Sequence, residues 1–312
     1  SVKIDSFSDW HAIAQGEKME GLVLKKMLEE VRPLFEQYAS KDNIITEENV
    51  HKLENPQIRA VLESIVQKLL LDGSKIYPEQ HITAFLNEVK AGKKGIILSE
   101  HYSNLDLPIF LYLMEQIGED GNELAHRSIA MAGMKLTEED PLIAGLTEGY
   151  ERIVIYPSRS LAGITDPQQL EEEMKRSRSI NTASMRTLEE VRNNGKVIIV
   201  YPAGTRYRPG RPETKRGVRE IDSYIRTSDI MMLVSINGNC LRISDDPSNM
   251  LGDIVCQDKV VIEVSPVINC AEFRERAKQR CSDGADKKQA VVDLVMEELE
   301  IMHKRNEENA QE

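Results

Sequence analysis

No stretch of about 18 consecutive apolar residues occurs in the sequence, so a hydrophobic membrane-spanning helix is not expected. The opening Ser1-Val-Lys-Ile carries no signal-peptide core. The expected location is therefore cytoplasmic, or the plastid stroma for a chain whose transit segment is not part of this sequence. Cysteine is scarce. Cys240, Cys256, Cys270 and Cys281 form no C-x-x-C pair, which argues against zinc and for reduced thiols. Neither a G-x-G-x-x-G nor a P-loop pattern appears, so no nucleotide cofactor is expected. Positive charge is in deficit, with 40 Lys and Arg against 52 Asp and Glu. That balance argues against general nucleic-acid binding. Internal repeats and low-complexity segments are missing as well.

What is present begins with a charge asymmetry. Between Lys175 and Arg219 there are twelve basic residues and three acidic ones, on a chain of net charge −12. A local positive field on an acidic protein points to an anionic ligand or partner. The length of 312 residues fits about two domains.

Residues 1–92 read as a small helical bundle domain. Leu24, Met27, Leu28, Val31, Leu34, Phe35 and Tyr38 follow helical spacing, with Pro33 expected to bend or split the stretch. Ile58 to Leu69 makes a second apolar stripe and Ile82 to Val89 a third, entered through Pro78. His11, His51 and His81 are scattered through this region and read as structural or surface groups.

Residues 93–312 read as an α/β domain with a mixed, largely parallel sheet flanked by helices. Strands are expected at Gly95–Ser99, Ser128–Met131, Arg152–Tyr156, Lys196–Tyr201, Ile230–Ile236 and Lys259–Val264. Between them lie helices at about 109–117, 167–178 and 181–193. A last one at about 286–303 precedes a frayed tail. Ligands of such sheets sit off the carboxyl ends of the strands. The loops that leave those ends begin at His101, Gly133, Pro157 and Pro202.

Three of these loops carry a chemical pattern. In Ser99-Glu-His101-Tyr-Ser-Asn-Leu-Asp106-Leu-Pro108 a histidine ends a strand and an aspartate follows at the mouth of a helix. Imidazole near its ordinary pKa suits proton transfer at neutral pH. A carboxylate on its other nitrogen would fix the tautomer and stabilise the imidazolium. No G-x-S-x-G elbow marks a nucleophile, so the histidine would activate a substrate hydroxyl directly. A capping aspartate and a core histidine would leave the same spacing. The other loops weigh against that simpler alternative. Tyr201-Pro-Ala-Gly-Thr-Arg206-Tyr-Arg208-Pro-Gly-Arg211 follows the most apolar strand, and Tyr156-Pro-Ser-Arg159-Ser160 follows another. Arginine forks match phosphate oxygens.

This ordered set resembles the glycerolipid acyltransferases. Within them it is most similar to the soluble, plastid-type glycerol-3-phosphate acyltransferases. The likeness rests on His101-x4-Asp106, on Pro202-Ala-Gly-Thr-Arg206 with Arg208-Pro209, and on the run from Met174 to Glu190. Ala132-Gly133 with Asp140-Pro141-Leu142 also fits. Two departures stand out: Ala203 where the broad family has glutamate, and Arg159-Ser160 where the plastid type has Lys-His. The resemblance implies an α/β acyltransferase in which His101 takes the proton of the glycerol 1-hydroxyl and Asp106 orients it. Arg159, Ser160, Arg206 and Arg208 would hold the phosphate of glycerol 3-phosphate. The acyl group would come from acyl carrier protein or a coenzyme A thioester, as co-substrate rather than cofactor. Peripheral membrane contact fits such a role. The alternatives are a 1-acylglycerol-3-phosphate acceptor, a non-enzymatic module that docks an acyl carrier or a lipid surface, and a His-dependent thioesterase.

Overall fold

The computed structural model describes residues 22–38, 44–134, 141–244, 250–282 and 284–311. The first 21 residues, with His11, and Asp140 lie outside the described part.

In chain order the strands are β1 (Leu22–Val23), β2 (His51–Lys52), β3 (Lys75–Tyr77), β4 (Gly95–Ser99), β5 (Ser128–Gly133) and β6 (Arg152–Ile155). They continue with β7 (Val197–Val200), β8 (Ile230–Asn237), β9 (Leu241–Arg242), β10 (Ile254–Val255), β11 (Val261–Val264) and β12 (Ile268–Asn269). The helices are α1 (Leu24–Tyr38), α2 (Pro56–Leu69), α3 (Glu79–Lys90), α4 (Asp106–Glu115) and α5 (Glu119–Arg127). After them come α6 (Pro141–Glu148), α7 (Pro167–Asn193), α8 (Ile221–Arg226), α9 (Cys270–Gln279) and α10 (Lys287–Gln311).

The main sheet runs β2-β6-β5-β7-β4-β8-β11-β3, with β12 also on β8. Its centre, from β6 to β8, is wholly parallel. Antiparallel pairs join β2 to β6 and β11 to β8. β4 (GIILS) and β7 (VIIV) are buried along their whole length, as continuous apolar strands in a two-faced parallel sheet should be. A small second sheet pairs β1, β10 and β9.

Each face of the main sheet carries its own helical layer. Ile97, Ile199, Met232 and Val234 pack with Met27, Leu62, Phe85 and Ile109, so helices α1 to α4 cover this side. Ile96, Ile198, Met231 and Leu233 pack with Leu188, Ile225, Phe273 and Val295 of α7 to α10 on the other. Contact on the first side is close. A Cβ on Gly95 would lie 2.9 Å from the Phe85 ring, so only glycine lets α3 sit this near the sheet.

Several expectations need adjustment. The three apolar stripes before residue 92 do form α1, α2 and α3, and Pro33 sits inside α1 without splitting it. These helices share one apolar core with the sheet, and β2 and β3 from the same region join its two sides. The described part of residues 22–92 is therefore one layer of the α/β body, where the sequence suggested a separate bundle. The two helices expected between 167 and 193 are one, α7, because the stripe Ser177, Ile180, Ser184 and Leu188 stays buried without a break. The tail expected to fray continues α10. Asn306 is fully buried there and donates its side-chain amide to the Val261 carbonyl at 2.9 Å. Among the described residues no helix is long and apolar enough to cross a membrane.

Candidate active site

β4 ends at Ser99, and Glu100 prolongs it by donating its amide to the Val234 carbonyl at 3.0 Å. His101 is the first residue past that pairing. The chain then turns tightly into α4, and Asp106 in the first helical turn reaches back. The His101 Nδ1–H donates to Asp106 Oδ2 at 2.9 Å. The same oxygen accepts from the Tyr102 amide at 2.6 Å and the Ser103 amide at 2.9 Å. Ser103 Oγ donates to Oδ1 at 2.9 Å. The buried carboxylate thus closes the turn that leads into α4 and fixes the imidazole tautomer together. The ring is held flat against Tyr201, with centroids 4.0 Å apart and planes 18° from parallel. Tyr201 follows β7, the neighbour of β4, so parallel pairing brings the two loops side by side. The Tyr207 amide donates to the His101 carbonyl at 2.7 Å and ties them together.

A second set of contacts reaches this turn from the last helix. Buried Glu100 accepts from the Tyr102 hydroxyl at 2.9 Å and the Ile236 amide at 2.8 Å. It also faces His303 Nδ1 of α10 at 2.9 Å. Burial and the Glu100 carboxylate push the Tyr102 phenol far above its usual range.

His101 lines a cavity of about 520 Å³ at the carboxyl ends of β4 to β7, the side at which α/β sheets bind ligands. Arg159 stands on its wall, in the short turn after β6, and its guanidinium has no ion-pair or hydrogen-bond partner among the described residues. A neighbouring cavity of about 430 Å³ shares Ser158, Arg159, Val218 and Glu220, and adds Arg216 and Arg219. Arg159 and Glu220 stand where the two spaces meet, with Arg216 and Glu213 beyond them and Arg219 ion-paired with Asp286. No cysteine lines the main cavity. Of the three serines that line it, the Ser103 hydroxyl donates to Asp106 and that of Ser158 to Glu220, and Ser223 of α8 is the third.

The other expected phosphate ligands are placed differently. Arg206 is buried and ion-paired with Asp253, itself 1% exposed, in the approach to β10. It lies between the His101 loop and the small sheet and does not line the cavity. Arg208 is partly buried close to Arg206. Burial first, then the charges of Arg206 and Arg211, lower its pKa from the usual arginine value. Ser160 shares the turn with Arg159 but does not line the cavity. Gly204, at φ +63° in the turn after β7, does line it.

The spacing pattern did not single out Tyr201, Glu100, His303 or Arg216. Arg216 was one of many residues in the basic stretch. The others carry no local signal, since their roles arise from loops and helices that meet only in the fold. Among the described residues, three buried polar atoms on the cavity wall have no partner: Asn104 Nδ2, Tyr150 Oη and Arg152 Nε. Burial pushes the Arg152 guanidinium down to about 10, against the opposing charge of Glu148. No protein-family model and no curated protein sequence matches the chain.

Proposed function

We propose that the protein is an acyltransferase that moves an acyl group from a thioester of acyl carrier protein or coenzyme A to the 1-hydroxyl of glycerol 3-phosphate. One observation carries this reading. A histidine locked by a buried carboxylate lines a largely apolar cavity whose wall holds an arginine with no side-chain partner among the described residues. His101 Nε2 takes the hydroxyl proton as that oxygen attacks the thioester carbonyl. Asp106 and the stacked Tyr201 hold the ring while it is charged. The tetrahedral intermediate collapses by breaking the carbon–sulfur bond, and the departing thiolate recovers the proton from His101. Asn104 Nδ2, three positions after the histidine on the same cavity wall and without a partner among the described residues, suits the oxyanion that forms on the carbonyl oxygen. Arg159, with Arg216 beyond it, is placed for the acceptor's phosphate. Arg206 supports the loop instead, through Asp253.

The test is release of free thiol by the purified protein, given an acyl thioester with glycerol 3-phosphate, with 1-acylglycerol 3-phosphate, or with no acceptor. Thiol release that needs glycerol 3-phosphate, and that falls at least ~10²-fold in His101→Ala, supports the reading. Equal release without any acceptor would identify a thioesterase, and full activity in His101→Ala would remove the histidine from the mechanism.

A further inference from the structure

The main cavity reaches beyond what a hydroxyl, a phosphate and a thioester require. The part of its lining that comes from α4, α6, β5 and the approach to β6 forms an arm of the cavity. Leu107 and Leu146 line it, and so do Ala130 and Ala132 of β5. Side chains alternate faces along a strand, so Ala130 and Ala132 point the same way, and Ala130 pairs with Arg152. Two alanines where the centre of the sheet carries isoleucine and methionine leave the room. Tyr150 and Arg152, each 3% exposed, complete this part of the lining. Arg152 Nη1 donates to the Thr147 carbonyl at 2.9 Å, while Arg152 Nε and the Tyr150 hydroxyl have no partner. Among the described residues only five buried side-chain atoms lack a partner, and three of these line this one cavity. Buried donors left unsatisfied cost about 1–3 kcal/mol each, so their convergence on a space is a feature a ligand can use.

The register places Arg152 relative to His101. Ile97 pairs with Ile199, Ile199 with Ala130, and Ala130 with Arg152. Arg152 is thus three strands across from β4, about 14 Å at the usual strand spacing. His101 lies four residues beyond Ile97. A chain attached at the reacting carbonyl and running through this arm would bring its far end to Tyr150 and Arg152. The charge of Arg152 is already opposed by Glu148, which is 7% exposed. A carboxylate there would add an unbalanced buried charge, whereas an uncharged oxygen would satisfy the donors without one.

We infer that the arm lined by Tyr150 and Arg152 is a subsite for an uncharged oxygen, a hydroxyl or carbonyl, at the far end of an acyl chain. This rests on the acyl-transfer reading for which end of the ligand reacts. The competing occupant is an ordered water, which would satisfy the same donors and leave the arm to saturated chains.

The experiment compares length-matched saturated and ω-hydroxy fatty acids across a series of chain lengths, titrated against the full chain. At the length that spans the arm, the ω-hydroxy acid is expected to bind at least about fivefold more tightly. Tyr150→Phe, which removes one oxygen, should reduce that preference. Equal or tighter binding of the saturated acid at every length would overturn the inference. The corresponding thioesters, assayed with glycerol 3-phosphate, separate the two readings. If neither thioester is turned over, acyl transfer fails and the binding ratio alone still decides the subsite.

Discussion

Asp106 does two jobs that a substitution separates. Asp106→Asn keeps the volume but offers an amide where a carboxylate accepts from the histidine and two backbone amides. The imidazole then loses the partner that fixes its tautomer. A fall in kcat of at least ~10²-fold is expected, with KM for glycerol 3-phosphate little changed, in steady-state kinetics. Arg206 gives the opposite kind of test. It is 6% exposed and paired with a still more buried Asp253, so Arg206→Ala strands a carboxylate in the interior. The cost should be about 3–5 kcal/mol in urea unfolding, and Asp253→Ala in the same chain should recover part of it. A variant of undiminished stability and raised acceptor KM would instead return Arg206 to the phosphate site. The two residues also mark what the sequence could show. His101 and Asp106 are joined by a local turn, so their spacing was informative. Arg206 and Asp253 are 47 residues apart, and an arginine reads the same whether it meets phosphate or aspartate.

Among elements, those with a long period were legible and those without one were not. The helical stripes before residue 92 and the apolar strands β4, β7 and β8 show their burial directly. β2 and β3 have two and three residues, too few for any alternation to register. α10 hid its last turns because polar Asn306 and Arg305 hold them, Arg305 through an ion pair with Glu263. That helix also delivers His303 to Glu100. Burial alone would lower the pKa of His303, but the hydrogen bond and charge of Glu100 outweigh it and the net shift is upward. Lys215 opposes that shift and Glu300 assists it. A raised folded value means that the contact contributes fully below the unfolded histidine pKa of ~6.5 and is lost as pH rises through the folded one. The stability advantage of the wild type over His303→Gln should therefore be largest in mild acid and shrink on the alkaline side. Thermal midpoints across that pH range check it.

At the scale of the whole molecule, the fold class was visible in the alternation of strands and helices, while the layer formed by residues 22–92 was not. Amphipathic helices look alike whether they pack on one another or on a sheet. A chain beginning at residue 93 would expose the face of Ile97, Ile199, Met232 and Val234. It is expected to aggregate or to bind an apolar dye, without a sharp thermal transition. A soluble fragment with cooperative unfolding would mean that the N-terminal helices are a domain after all.

The pairing of β3 with β11 has a further consequence for biosynthesis. Tyr77 meets Glu263 across 186 positions of sequence, so a segment made early must wait for one made late. While the nascent chain is shorter than that, β3 has no strand to lie against. The helices beside it lack part of the floor that buries them. High contact order of this kind slows folding and prolongs exposure of strand edges. Ribosome stalling anywhere between β8 and β11 would release a polypeptide that holds its histidine and aspartate but lacks the strand that closes its sheet.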